Sequence, residues 1–153
     1  MREILFRGKH KDSGEWVEGV PYFENNQCFM ITDLFICEEY QCTGAENVEV
    51  ISETVGQYTG LIDKNGKEIF EGDIVKCLDM INEIEFISVV EFGNPNGTYS
   101  WGWQLKHIKG DKPNFDILLW VEMEEIGAYI EVIGNIHDNP ELMRGGAEEW
   151  KKD

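Results

Sequence analysis

Short apolar stretches separated by turn-forming residues run along most of this chain. In the N-terminal third these stretches are "EILFRGKH", "EWVEGVPYF" and "QCFMIT", with turns at residues 12–14 and at Asn25 and Asn26. Runs of this length with turn residues between them are typical of antiparallel strands. We therefore predict a β meander, with Pro21 at a strand edge or end because proline has no backbone N–H to donate.

Residues 33–47, "DLFICEEYQCTGAEN", have no clear hydrophobic period. We interpret this segment as a connection with room for one helical turn. It leads into "VEVI", which we predict as a strand because its apolar and acidic residues alternate.

The segment "VGQYTGLIDKNGKEIFEGDIV", residues 55–75, is rich in turn residues between short aliphatic runs. In "DKNGK", Asn65 and Gly66 are the residue types that supply the positive φ angles of a tight hairpin. A phosphate-binding loop is excluded, because no Gly-Lys-Ser/Thr sequence follows the glycines. The predicted turn residues of this segment are Gly56, Gly60, Gly66, Gly72 and Asp73.

The second half continues with the predicted strands "IVKCL", "EIEFISVVEF", "TYSWGWQL" and "YIEVIGNIH". Residues 117–121 fit either a strand or a short helix, since the apolar cluster is too brief for its period to decide. Asn139 and Pro140 resemble an N-cap and a first-turn proline, so "NPELM" should open a short helix. The fold class is therefore mainly β, with a β-rich part at 1–52, a small β-barrel at 53–140 and a short helix with a frayed tail at 141–153.

The chain is strongly acidic, with a formal charge of −17 from 30 Asp and Glu against 13 Lys and Arg. Such a charge opposes binding to phosphate backbones and to anionic lipids, and it favours encounter with cationic surfaces. Nucleic acid is thus an unfavourable partner, and we expect a protein partner with a basic surface. The alternative explanation is that the acidity serves solubility alone.

The four cysteines do not form a metal-binding pattern, since only Cys37 and Cys42 lie close together in sequence while Cys28 and Cys77 are isolated. The N-terminal sequence has no apolar core of a secretion signal, and no apolar run approaches the ~20 residues of a membrane span. We therefore expect a cytoplasmic protein with reduced, structural thiols, no metal and no cofactor.

No group of residues in the sequence predicts an enzyme. Glu68, Glu71 and Asp73 are close in sequence, but close spacing arises by chance among 30 acidic residues, and a solvated rim is the simpler explanation. The three histidines are dispersed, and none lies beside a nucleophile in a recognised context; they are His10, His107 and His137.

Aromatic residues cluster in "TYSWGWQL", where Tyr99, Trp101 and Trp103 alternate and should share one face of a strand. We consider these three residues an interaction surface, because small barrels use such aromatic rows for stacking. The simpler alternative is a core face plus an edge, which the acidity of the chain favours over base stacking.

Three segments together resemble one family. "TVGQYTGLIDKNGKEIFEGDIV" at residues 54–75, "IEVIGNIHDNPEL" at 130–142 and the opening "REILFRGKHKDSGEWVEG" at 2–19 are similar to the YopX family of bacteriophages, prophages and related mobile elements of Firmicutes. The resemblance implies an N-terminal β-rich part followed by a barrel of the Src homology 3-like kind, with "EGDIV" entering the barrel. It implies no activity and no catalytic residues.

We therefore expect a phage or prophage accessory protein in the cytoplasm of a bacterial host, acting as a non-enzymatic interaction module and able to form homo-oligomers through open sheet edges. Three alternatives stay open. They are an acidic protein that mimics DNA and binds a basic host protein, a nucleic-acid-binding barrel using Trp101, Trp103 and Lys106, and an enzyme of unrecognised type.

Overall fold

The computed structural model describes residues 3–81, 83–93, 101–108, 115–122 and 127–144. The chain divides into two compact units, Met1–Gly60 and Leu61–Asp153. The division therefore falls after residue 60, whereas the sequence predicts it after residue 52. The strands of the described residues are β1 (Phe6–His10), β2 (Trp16–Glu24), β3 (Gln27–Cys37), β4 (Cys42–Ile62), β5 (Glu68–Phe70), β6 (Asp73–Asp79), β7 (Ile84–Gly93), β8 (Gly102–His107), β9 (Phe115–Asp116) and β10 (Ala128–Asn135). The helices are α1 (Ile117–Glu122) and α2 (Glu141–Arg144). The predicted mainly-β fold class is confirmed.

The first unit is a ring of four antiparallel strands. β1 pairs with β2, β2 with β3 and β3 with β4, and β4 pairs in turn with β1. In the pairing of β2, residues 16–19 face β1 and residues 20–24 face β3. Pro21 therefore lies beyond the part of β2 that pairs with β1, in the stretch that pairs with β3.

The pairing of β1 with β4, which closes this ring, contains an irregularity. Arg7 pairs with Gly56 and Lys9 pairs with Ile51, so several residues of β4 bulge outward opposite a single residue of β1. Thr54 lies in the bulge, where its Oγ1 accepts the backbone N–H of Lys9 at 2.8 Å and donates to the carbonyl of Ile51 at 2.6 Å. The side chain thus replaces hydrogen bonds that the bulge removes from the ladder.

The core of the first unit consists of Cys28, Met30 and Val50, which are buried on β3 and β4. Partly buried apolar residues pack around them, including Val17 and Val48. The alternation of buried residues at 28 and 30 follows the two-residue period of a strand, so only one face of β3 contributes to this core.

The second unit is a five-stranded antiparallel sheet with the order β10-β6-β7-β8-β9. Its core unites side chains from this sheet, from β5 and from α1. The buried members are Ile69, Val75, Cys77, Val90, Trp103, Leu105, Ile117, Trp120, Ala128 and Ile130. One apolar face of the sheet therefore packs against the helix.

The ambiguity at residues 117–121 resolves as the helix α1. Asp116 caps it, since its Oδ1 accepts the N–H of Leu118 at 2.8 Å. Ile117 and Trp120 are buried on one side while Leu118 and Leu119 are exposed, which matches the three-residue spacing of a helix face. The indole of Trp120 also donates to the carbonyl of Tyr129 at 2.9 Å.

The predicted C-terminal helix is present as α2, after Asn139 and Pro140. The side chain of Asn139 points backward rather than capping the helix, because its Oδ1 accepts the N–H of Asn135 at 3.3 Å. Neither helix of the described residues has the length and apolar character needed to span a membrane.

The interpretation of residues 33–47 as a connection is wrong. β3 continues to Cys37 and β4 begins at Cys42, so the segment is an antiparallel hairpin. Its loop of four residues, Glu38–Gln41, contains no glycine, asparagine or proline. Gln41 nevertheless takes a left-handed conformation, with a φ of 50°, which sequence alone does not reveal.

Candidate functional site

The structure separates the three aromatic residues that we predicted to form one surface. Trp101 is 73% exposed, whereas Trp103 is 7% exposed and belongs to the core of the second unit. The Trp103 ring makes an edge contact with Phe92, at 5.1 Å between ring centroids. Tyr99 lies outside the described residues. The prediction that Trp101 and Trp103 share an accessible face is therefore wrong, because core packing occupies Trp103.

The predicted turn residues differ in their actual roles. Gly66 and Gly72 lie in turns with φ of 81° and 87°, which residues with a β-carbon resist. Gly60 also has positive φ, but it lies within β4. The prediction for Gly56 is wrong, since this residue is inside β4 and pairs with Arg7. Asn65 was predicted to share the positive φ of Gly66, and it does not.

Asp73 supports the turn that precedes β6. Its side chain is buried, and Oδ2 accepts the backbone N–H of Phe70 at 2.8 Å. The carboxylate is thus engaged with the turn of its own chain. This hydrogen bond gives the buried carboxylate a donor, as buried polar groups require.

His10 and His107 make separate local contacts. His10 Nδ1 accepts the backbone N–H groups of Asp12 and Ser13, both at 3.2 Å, and so stabilises the turn after β1. His107 packs against Phe86 at 4.6 Å between ring centroids. Within the part of the chain that the structure describes, no group of three metal-binding side chains comes together.

Asp63 accepts three backbone hydrogen bonds in the second unit. Oδ1 accepts the N–H groups of Asn65 at 2.8 Å and Lys67 at 2.9 Å, and Oδ2 accepts the N–H of Val132 in β10 at 3.0 Å. Burial alone would raise the pKa of Asp63, but these three donors and the charge of Lys67 outweigh burial and lower the pKa. The carboxylate therefore connects the turn at residues 63–67 to β10 through hydrogen bonds.

A small pocket of about 240 Å³ lies beside this carboxylate, lined by residues that include Lys64, Trp120 and Tyr129. Lys64 pairs with Glu131 at 3.2 Å, and Asp63 is fully engaged with backbone donors. Lys64 and Asp63 thus connect the 63–67 turn with β10.

The most unusual surface of the described residues is the outer part of the β3–β4 hairpin, which we call the arm and define as residues 33–46. Leu34 pairs with Ala45, Phe35 with Gly44 and Ile36 with Thr43. Leu34 is 73% exposed and Ile36 is 75% exposed, and both lie on one face because they are two residues apart.

The opposite face of the arm carries Phe35, whose ring lies directly over Gly44. A side chain at position 44 would collide with this ring, so the glycine leaves room for it. An open depression of about 600 Å³ lies along the arm, lined by residues of both strands. Tyr40 is exposed in the loop. The arm therefore offers apolar side chains on both faces.

All charged side chains of the arm are acidic. Its sequence "DLFICEEYQCTGAE" contains four carboxylates and neither lysine nor arginine. The four acidic residues are Asp33, Glu38, Glu39 and Glu46, and all are exposed. Exposed apolar residues ringed by acidic residues are typical of a protein-binding surface. Sequence reasoning missed this site, although three consecutive apolar residues at 34–36 between acids are a signal of a strand.

The cysteines fall into two classes, and all four are free thiols. Cys28 and Cys77 are buried in the two cores, as structural thiols should be. Cys37 is half-buried and Cys42 is exposed, and they pair across the end of the arm. The prediction of reduced, structural thiols therefore fits Cys28 and Cys77, whereas Cys37 and Cys42 are reduced but lie outside both cores.

The fold defines a mainly-β protein of two compact units. A family model described as YopX protein matches residues 5–144, so the chain belongs to the YopX family, as its sequence resemblance predicts. The chain is also similar to the crystal structure of protein EF1440 from Enterococcus faecalis, with 26% identity and a TM-score of 0.55, covering 94% of this chain and 99% of that one. A comparison with curated proteins found no match.

Proposed function

We propose that this chain is a non-enzymatic interaction module that binds a protein with a basic surface through the arm. We further propose that it is a phage or prophage accessory protein that acts in the cytoplasm of a bacterial host, in keeping with its family. The observation that carries the proposal is the arm itself, where exposed Leu34, Phe35 and Ile36 are surrounded by carboxylates.

Charge complementarity favours a basic partner over a second copy of this chain. Two arms would bring eight carboxylates together, four from each copy, with no cation of the arm between them. Like charges placed opposite each other oppose association, whereas lysine and arginine on a partner would be attracted to them. Apolar contacts with Leu34 and Ile36 would then supply affinity, and the acidic residues would supply encounter rate and specificity.

The same features argue against nucleic acid as the partner. Trp103 is buried, and Lys106 pairs with Glu91 at 3.5 Å, so two of the three residues considered for base binding are engaged within the unit. The net charge of −17 opposes approach to phosphates.

The experiment compares the wild-type chain with the double variant Leu34→Ser/Ile36→Ser. Each tagged protein is incubated with nuclease-treated lysate of a bacterial host, the captured protein is identified and purified, and its affinity is measured by calorimetry. We expect the double variant to weaken binding roughly 100-fold or more, because each apolar side chain contributes on the order of 1.5 kcal/mol or more when buried and each 1.4 kcal/mol is about tenfold in affinity. Phe23→Ser is the matched control, since Phe23 is an exposed apolar residue of the same unit outside the arm.

The acidic part of the proposal is tested with Glu38→Gln/Glu39→Gln. This variant should associate with the purified partner more slowly at low salt, because it has less negative charge to attract a basic surface. Its association rate should also depend less on salt, since fewer charges remain for salt to screen beyond the Debye length of about 10 Å at 0.1 M. Equal affinities for the wild type and the Leu34→Ser/Ile36→Ser variant would contradict the arm as the binding site. Submicromolar binding of the purified protein to DNA or RNA at physiological salt would contradict the choice of partner, and dimerisation through the arm would identify a second copy instead.

A further inference from the structure

The end of the arm places two cysteines directly opposite each other. Cys37 is the last residue of β3, Cys42 is the first residue of β4, and they are partners in the strand register. Residues opposite each other in an antiparallel pair have Cα atoms about 4.5 or 5.5 Å apart, and their side chains share a face. Both separations lie within the range of about 4.4–6.8 Å that a disulfide spans. Bond formation therefore requires no rearrangement of the strands.

The two remaining cysteines are protected from the same chemistry. Cys28 and Cys77 are buried, and burial raises the pKa of each thiol, which lowers the fraction present as the reactive thiolate. Cys42 is exposed and Cys37 is half-buried. A reagent in solution therefore reaches the arm before either core.

We propose that Cys37 and Cys42 form a dithiol modification site, which a low-molecular-weight disulfide of neutral or positive charge converts reversibly into a disulfide across the arm. The site concerns the thiols of this chain alone, so it does not depend on the arm having a protein partner. In a reducing compartment such a bond is transient and serves sensing rather than permanent stabilisation.

The reaction balances as two exchange steps. The thiolate of one cysteine attacks the small disulfide, forms a mixed disulfide and releases one small thiolate. The second cysteine loses its proton to water, and its thiolate attacks the protein sulfur of that mixed disulfide, which forms the Cys37–Cys42 bond and releases the second small thiolate. The protein loses two electrons and two protons, and the small disulfide is reduced to two thiols.

The loop between the two cysteines selects the charge of the oxidant. Glu38 and Glu39 are exposed in this loop, and the arm has no lysine or arginine to offset them. Their field repels anionic disulfides such as oxidised glutathione and attracts cationic ones such as cystamine.

The first experiment treats the reduced, full-length protein with cystamine and then blocks the remaining thiols with iodoacetamide. We expect the protein to lose two hydrogen atoms in mass and to retain two alkylatable thiols after unfolding. Digestion after glutamate cuts at Glu38 and Glu39, between the two cysteines, so the flanking peptides should stay joined until dithiothreitol is added. Stable mixed disulfides on both arm cysteines, a covalent dimer, or a bond that includes Cys28 or Cys77 would overturn the proposal.

Single variants separate the two exchange steps. Cys37→Ser and Cys42→Ser each leave one arm thiol, so each should stop at a persistent mixed disulfide with cysteamine. Cys37→Ser/Cys42→Ser should show neither product under the same conditions. Intramolecular disulfide formation in either single variant would contradict the assignment.

Charge selection is measured as the ratio of the oxidation rate with cystamine to the rate with oxidised glutathione. The two reagents differ in intrinsic reactivity, so the matched control is Glu38→Gln/Glu39→Gln, which keeps both thiols. We expect this variant to lower the ratio several-fold at low salt, and added salt should lower the wild-type ratio toward that of the variant. An unchanged ratio would overturn the charge selection.

Discussion

The turn at residues 63–67 and the loop of the arm both reverse the chain between paired strands, but their side chains differ in burial and in role. In the first turn, the polar side chain of Asp63 is buried and collects three backbone donors, from Asn65, Lys67 and Val132. In the arm, apolar side chains are exposed and acidic ones surround them. In the hairpin of Asp63 a buried polar group makes hydrogen bonds that stabilise the fold, whereas in the arm the apolar side chains are exposed to solvent. This contrast predicts where substitutions affect stability and where they affect binding.

The largest expected effect on stability is that of Asp63→Ala. The substitution leaves the N–H groups of Asn65, Lys67 and Val132 without their carboxylate, and we expect a loss of about 3 kcal/mol because hydrogen bonds to charged groups contribute roughly 1.5–3 kcal/mol each and water replaces some of them. Chemical denaturation measures this loss. Asp12→Ala, at an exposed position, is the control. If both variants unfold at the same denaturant concentration, Asp63 does not lock the hairpin.

The next effect concerns Gly72, whose φ of 87° is disfavoured for any residue with a β-carbon. Gly72→Val should destabilise the protein by about 1–3 kcal/mol, the range for a residue held in a sparsely populated conformation. The strain is in the backbone, since a β-carbon there would meet Ile136 at an ordinary distance of 3.6 Å. Gly102→Val is the matched control, because Gly102 starts a strand without positive φ and nothing lies within 4 Å of an added β-carbon. Equal melting temperatures for the two variants would contradict the constrained turn at Gly72.

A smaller effect follows from the lowered pKa of Asp63. The folded state has the lower pKa, so the unfolded state binds the extra proton as pH falls below the ordinary aspartate value of about 3.9, and stability is lost with it. The stability difference between the wild type and Asp63→Asn should therefore be full above that pH and should shrink as pH falls through the folded pKa. Denaturation curves from neutral pH down to the acid limit of folding measure the difference. A difference that does not change with pH would exclude this titration.

The smallest effect on stability is expected for the arm. Leu34→Ser/Ile36→Ser removes two side chains that are 73% and 75% exposed, so the free energy of unfolding should change by at most about 0.5 kcal/mol. Calorimetric melting checks this value. A large loss would mean that the two side chains support the fold of the first unit, and the arm would then no longer contrast with the hairpin of Asp63.

Turn chemistry explains which parts of the molecule could be predicted from sequence. Gly66 and Gly72 are visible as residues that tolerate positive φ, and both occupy such turns. The arm has no such signal, because Gln41 adopts a left-handed conformation without being glycine or asparagine. Its strands were missed as well, since residues exposed on both faces have no two-residue alternation.

Two further features depend on partners that are distant in sequence, whereas the cap of α1 is a local signal. Trp101 and Trp103 have the spacing of one strand face, but Trp101 precedes β8 and Trp103 packs against Phe92 of β7. The Asp116 cap was present in the sequence before α1 and would have favoured helix over strand. The role of Asp63 depends on Val132, a residue 69 positions away, so no local pattern reveals it.

The closed ring of the first unit has a kinetic consequence. β1 neighbours β2 in sequence, but the ring closes only when Arg7 meets Gly56 and His10 meets Val50. Such pairings carry a loop-closure entropy that must be overcome before they stabilise anything, and folding slows as the mean sequence separation of contacts rises. During synthesis β1 can pair with β2 early, whereas its pairing with β4 requires that residues 50–57 have left the ribosome. The bulge at Thr54 belongs to this pairing, so its hydrogen bonds with Lys9 and Ile51 also depend on ring closure.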